Sequence, residues 1–248
     1  MSYSRLDNLL GTLNWVFRPL PGYLLFAGPW YQWRWQKTRR KRASSNLQVL
    51  LLDALVLAFK GWRMPPFINP KLLVPLITVD AACVNDCFQV GTYSPLIGAR
   101  LIRCPVWVAS QQQAEYYGLI LCAKLAISLG WHSVSIVGDN RASLFCFLKL
   151  KPFHGHWRFM KLLRGLFNLM LNTGLLVNLF WVPSALMPAD PISRIVADDP
   201  VSHEQGNFDA IKRFSQLMQC SHLMMDWGTV ALSPDNTTSP ASSHQPHP

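Results

Sequence analysis

Three acidic residues stand where water does not easily reach. Asp80 closes an apolar run over residues 72–79, and Asp139 closes a second over 133–137. Glu115 falls near the start of a largely apolar helical stretch. Carboxylates are seldom buried unpaired, because losing their hydration is costly. Acids repeated at strand ends therefore need something to offset their repulsion, and Arg141 is the one nearby base in the chain around Glu115 and Asp139. A divalent cation fits that need. Oxygen ligands with no Cys/His cluster select a hard ion, Mg²⁺ or Mn²⁺. Each acid also has an ordinary reading. Asp139-Asn140 can cap the helix that follows, Asp80 can be a turn residue, and Glu115 can be a first-turn acid favoured by the helix dipole. Asp190, in Met187-Pro-Ala-Asp190-Pro, reads either as a helix cap or as a fourth ligand.

Elements must carry these acids. Runs 72–79, 87–93 and 101–108 read as three strands, with a turn at 94–98. Residues 113–129 have helical periodicity through Leu119, Cys122, Ala126 and Leu129, and Gly130 stops the helix. A β-branched run at 133–137 predicts a fourth strand. Helices are predicted over 140–148 and over 156–172, the second with Arg158, Lys161 and Arg164 on a basic face. A last strand covers 176–182, and 183–191 is rich in turn residues. Three strands feeding alternating helices and strands predict an α/β domain over 71–200, a mixed sheet with helices packed on it. Residues 1–70 read as a helical and aromatic segment punctuated by Pro19, Pro21 and Pro29. Residues 201–248 are expected to lose regular order, with disorder from about 233 where Ser, Pro, Thr and His dominate.

The formal net charge is +10, and half of the 248 residues are hydrophobic, ten of them tryptophan. Such a chain folds around a core and favours a polyanionic partner, nucleic acid before an anionic membrane. The run Lys37-Thr-Arg-Arg-Lys-Arg42 is a solvated linker, a phosphate patch or a nuclear import signal. Cys83 and Cys87 have no second pair to complete a zinc site. The six cysteines read as reduced thiols of an intracellular compartment. The N-terminus lacks the pattern of a signal peptide, and no apolar run has the length of a membrane span.

Taken together, Thr78-Val-Asp80-Ala, Gln113-Ala-Glu115, Gly138-Asp139-Asn140 and Val182-Pro-Ser-Ala-Leu-Met-Pro-Ala-Asp190-Pro-Ile-Ser-Arg194 resemble the ribonuclease H domain that ends viral reverse transcriptases, most nearly those of hepadnavirus-like and other pararetroviral polymerases. The last motif is the most specific, and the four fall in order across roughly 115 residues. Upstream, Leu9-Leu-Gly-Thr-Leu-Asn-Trp15 through Pro29-Trp-Tyr31 looks like the thumb segment of those polymerases. No Tyr-x-Asp-Asp motif is present. The resemblance implies a ribonuclease H fold with a five-stranded mixed sheet, following a thumb-like segment and connection over 1–70.

It further implies that Asp80, Glu115, Asp139 and Asp190 hold two Mg²⁺ or Mn²⁺ ions, set about 4 Å apart in such sites. Asp80 would bridge the ions, Glu115 and Asp139 would complete one site, and Asp190 the other. The substrate implied is the RNA strand of an RNA–DNA hybrid, and the partner is the polymerase portion of a larger protein. The setting would be host cytoplasm, viral capsid interior or nucleus. Arg141, Lys149, Lys151, Arg158, Lys161, Arg164 and Arg194 are candidate phosphate contacts, which position a duplex without reading its sequence. Trp107 and Trp157 are candidates for a sugar edge. Asp80 departs from the pattern by preceding Ala-Ala-Cys-Val-Asn-Asp, which makes Asp86 a rival ligand. His154, His156 and His203 sit in no motif. Competing readings are an inactive nucleic-acid-binding module, a membrane-associated accessory protein driven by the aromatic N-terminus, and an integrase-like nuclease with different acid spacing.

Overall fold

In the computed structural model, residues 11–12, 75–151 and 157–230 are described. The thumb-like segment beyond residues 11–12, the basic run 37–42, His154, His156 and the tail expected to be disordered from 233 lie outside them. Among the described residues, six strands form one sheet: β1 (Leu76–Val84), β2 (Cys87–Ser94), β3 (Gly98–Arg103), β4 (Ser133–Gly138), β5 (Leu176–Trp181) and β6 (Met225–Val230), in the order β3-β2-β1-β4-β5-β6. The first three pair antiparallel, β1 pairs parallel with β4 and β4 with β5, and β6 returns antiparallel to β5. The helices are α1 (Gln111–Ser128), α2 (Arg141–Leu148), α3 (Trp157–Thr173), the short α4 (Ala189–Ser193) and α5 (Pro200–Gln219).

Alternation along the strands sorts side chains onto two faces. Ile77, Val79 and Ala81 of β1, with Val134, Ile136, Val177 and Leu179, join one core under α1 and α3, where Leu119, Ile120, Phe159 and Phe167 are buried. Leu76, Val137 and Phe180 point to the other face and pack with Met187, Ala189 and Leu217, the last on α5. Asp80 has the parity of Leu76 and Thr78, so it points to this second face, beside α4.

Two expectations are corrected. The five-stranded sheet has a sixth strand, and residues 201–230, expected to lose order, supply most of α5 and all of β6. Their exposed positions hide the pattern: α5 buries only Gly206, Ala210 and Leu217, and β6 is an edge strand with Val230 buried. A third difference concerns β1. It does not end at Asp80 but runs four residues further, to a two-residue hairpin turn in which Asn85 and Asp86 both take left-handed φ, 49° and 59°. Asn and Asp tolerate that conformation. The third strand likewise shifts, to Gly98–Arg103 rather than 101–108.

Candidate active site

Parallel pairing sets the acids on one edge. Thr78 on β1 lies opposite Val137 on β4. Two residues further along stand Asp80, within β1, and Asp139, one residue past the end of β4, so both acids reach the carboxyl-end side of the β1–β4 pair. Glu115 arrives from the first turns of α1. Ser110 caps that helix, its hydroxyl accepting from the Gln113 amide at 3.3 Å, while the Gln113 side chain accepts from the Ala109 amide at 2.8 Å. An oxygen from each of Asp80, Glu115 and Asp139 lies within 4.8 Å of the other two. Asp80 is 4% exposed and Glu115 6%.

Neighbours hold each carboxylate. The Ser193 hydroxyl donates to Asp80 Oδ2 at 2.6 Å. The Gln111 amide donates to Glu115 Oε1 at 3.4 Å and also to the Ala81 carbonyl. Ser184 donates its hydroxyl to Asp139 Oδ2, and the Trp181 indole donates to the Asp139 carbonyl at 2.7 Å. Asp190 is ion-paired to Arg194 Nε at 2.8 Å and to Arg213 Nη1 at 2.9 Å. It lies near enough for its charge to act on Asp80, but it is not part of the three-acid group.

Burial, followed by mutual repulsion, raises two of these acids. Desolvation lifts Asp80 to about 6, opposed by the Ser193 hydrogen bond and reinforced by the charges of Asp139 and Asp190. Desolvation, then Asp80 and Asp139, push Glu115 to about 9, against the hydrogen bond from Gln111. At an effective dielectric of 20, two unit charges at such separations repel by roughly 3–4 kcal/mol. No lysine or arginine forms an ion pair with Asp80, Glu115 or Asp139 among the described residues, so without a cation the repulsion is relieved by protons, held most firmly on Glu115. An all-oxygen donor set of this kind fits a hard divalent cation.

The ordinary readings of the acids separate cleanly. Asn140, not Asp139, caps α2, its side chain accepting from the Ser143 amide at 3.0 Å, which leaves the Asp139 carboxylate free to turn toward Asp80. Asp80 is a mid-strand residue rather than a turn residue. Asp190 lies inside the first turn of α4, whose N-cap Pro188 makes no side-chain cap. Asp86 belongs to the hairpin turn and is absent from the acid group.

Of the candidate phosphate contacts, Arg141 is exposed beside the acids, its guanidinium 4.2 Å from the Trp181 ring. Arg158 lies 5.3 Å from the ring of the exposed Trp157 and 5.8 Å from that of Trp107. Trp107 also packs edge-on against Tyr117 and Phe159. Lys149, Lys151 and Lys161 are exposed, Arg164 is half-buried, and Arg194 is turned to Asp190. His203 contacts the Ala197 carbonyl from α5. Ser193 and Ser184 lie inside the motif 182–194 without a role assigned to them from sequence, and Gln111 and Arg213 lie outside every motif. The Ser-Arg pair after Asp190 was a signal for Ser193, whereas nothing local marks Arg213.

Three antiparallel strands, then two parallel ones, with acids on β1, on α1 and just beyond β4, decide the architecture. This is the ribonuclease H-like fold. No family model matches the chain, and no curated protein does. Among solved structures, ribonuclease H1 from the halophilic archaeon Halobacterium salinarum NRC-1 is 18% identical, with a TM-score of 0.34, over 44% of this chain and 86% of that one. The N-terminal RNase H domain of rv2228c from Mycobacterium tuberculosis, solved as a fusion with maltose binding protein, is also 18% identical, with a TM-score of 0.32, over 44% and 84%. The ribonuclease H-like assignment stands on strand order and acid placement rather than on either likeness.

Proposed function

We propose that the chain is a divalent-metal-dependent endonuclease that cuts the RNA strand of RNA–DNA hybrids, as part of a reverse transcriptase of the pararetroviral kind. The observation that carries this reading is the meeting of Asp80, Glu115 and Asp139 within 4.8 Å, from three elements distant in sequence, on a ribonuclease H-like sheet. The viral setting and the link to a polymerase rest on the motif ending in Asp190-Pro-Ile-Ser-Arg194 and on the thumb-like stretch upstream.

Asp80, Glu115 and Asp139 would hold one ion, and Asp80 with Asp190 a second. Bound Mg²⁺ or Mn²⁺ supplies an activated water and stabilises the departing 3′-oxygen. The chain's own residues do the rest. Ser193 and Ser184 orient Asp80 and Asp139, and Gln111 orients Glu115. Arg141, stacked on Trp181 next to the acids, would fix a phosphate of the duplex near them. Arg158 and the exposed Trp157 would add a second contact along the backbone. Recognition of RNA would come through the wide minor groove and its 2′-hydroxyls.

The test is cleavage of a strand-labelled RNA–DNA hybrid in Mg²⁺ and in Mn²⁺, beside Asp139→Asn. The expected result is cleavage of the RNA strand alone, lowered at least about 100-fold by the substitution with hybrid binding retained. Tight binding with no cleavage in either metal would favour a binding module instead.

A further inference from the structure

Helix α5 has two apolar faces. Gly206, Ala210 and Leu217 are buried against the fold. Val201, Phe208, Ile211 and Met218 lie on the side away from them, seven, three and seven positions apart, and are between 42% and 74% exposed. That spacing makes one continuous stripe along a helix, the pattern of a seam against a second helix. Charge on α5 is just as uneven. Asp198, Asp199, Glu204 and Asp209 gather at its start and first half, and no Lys or Arg lies between residues 195 and 211, in a chain of net charge +10.

A matching segment lies upstream in the same chain. Residues 46–60, outside the described residues, are apolar at eleven of fifteen positions and read from sequence as a helix. A helix apolar on all sides has to be buried. At about 1.5 Å per residue it would be roughly 22 Å long, short of the ~30 Å core of a membrane but equal to the span from Glu204 to Met218. The basic run Lys37–Arg42 precedes it by three residues, and fourteen residues, 61–74, join it to the first described strand. Extended at ~3.3 Å each, those fourteen reach up to roughly 46 Å. They end beside α5, because Leu76 at the start of β1 packs in one cluster with Leu217.

We infer that residues 46–60 dock on the outer stripe of α5, parallel to it, with Lys60 toward Met218 and the run 37–42 beside Asp198, Asp199 and Glu204. The linker allows either direction. Charge selects this one, since the reverse would carry the five basic residues past Lys212 and Arg213 and away from the acids. The tether also keeps the segment at high local concentration, so a seam of four apolar side chains suffices to hold it. A second copy of the chain and an anionic membrane are the rival occupants of the stripe.

The experiment uses the full chain with Phe208 replaced by the photoreactive p-benzoylphenylalanine. A mixture of isotopically light and heavy molecules is irradiated with and without phosphatidylcholine–phosphatidylserine vesicles. The expected result is a cross-link to residues 46–60 within one chain in both conditions. Cross-links joining light to heavy chains would overturn the docking in favour of a second copy. Cross-links to lipid in place of 46–60 would overturn it in favour of a membrane, and no cross-link to 46–60 in any sample would overturn it outright. Hydrogen exchange of the full chain beside Phe208→Glu/Ile211→Glu gives a second readout. Both positions face solvent, so the amides of β1 and β4 should keep their protection while those of 46–60 exchange at least about tenfold faster. Unchanged exchange over 46–60 in the folded variant would overturn the docking equally.

Discussion

Glu115 and Asp80 hold protons in the folded, metal-free chain that they release when it unfolds. Glu115 rises from an ordinary 4.5 to about 9 and Asp80 from 3.8 to about 6, each mainly through burial. A carboxyl raised in this way costs stability once the pH passes its unfolded value, and the cost stops growing above the folded one. The native state binds more protons across this window, so stability falls as pH rises. Glu115→Gln removes the largest part of that effect. In chelator, its melting temperature should exceed that of the native chain by a margin that is near zero at pH 4 and widens up to about pH 9, while cleavage is lost. Thermal melts across that range check the sign, and a margin that shrinks with rising pH would contradict the burial of Glu115. Excess Mg²⁺ should reverse the order, because the cation replaces the protons and stabilises only the chain that binds it.

Elements, not single residues, bring the acids together, and their contacts are tight. Gly91 on β2 lies directly across from Asp80. A Cβ added there would strike the Ser193 amide nitrogen and sit 2.7 Å from the Ala189 carbonyl oxygen. The glycine lets α4 settle on the strand, and so lets Ser193 reach Asp80. The buried side chain of Gln89, also on β2, donates to the Ser193 and Ile195 carbonyls at 2.8 and 2.7 Å and holds the end of α4 in place. Since the colliding atoms are backbone, Gly91→Ala cannot be relieved by a side-chain rotation. It should destabilise the fold by about 2–3 kcal/mol, read from denaturant unfolding, with a larger loss of cleavage than of hybrid binding. A neutral effect would mean that α4 is not seated on β2 as described.

At the scale of the molecule, the second face of the sheet depends on residues beyond 200. Leu217 packs in one cluster with Leu76, Val137 and Phe180, and Val230 on β6 closes the main core beside Val177 and Leu179. Burying a leucine or valine contributes roughly 1.5–3 kcal/mol. Losing two such side chains, a strand and a helix exceeds much of a domain's net stability of about 5–15 kcal/mol. A chain ended at residue 199 should therefore lose cooperative thermal unfolding and bind a hydrophobic dye. Retained cooperativity would show that a domain over 71–200 is self-sufficient. Among the described residues no helix is long and apolar enough to cross a membrane.

Local pattern determined the strands and helices that carry Asp80, Glu115 and Asp139. Alternating and β-branched runs can only bury one or both faces of a strand, and a capped helix announces itself within four residues. It also set beside the ordinary readings of Asp80, Glu115 and Asp139 as turn, first-turn and cap residues the reading that they share a counter-charge, without choosing between them. The tertiary structure decided what no local pattern holds: that Asn140 caps α2 and leaves Asp139 free, that Ser193 reaches back 113 positions to Asp80, and that Arg213 on a mostly polar helix closes on Asp190. It also turned an apparent tail into α5 and a sixth strand. The physical reason is the same in each case. Partners far apart in the chain are selected by strand register and by layer packing, and an exposed helix or edge strand buries too few residues to write its period into the sequence.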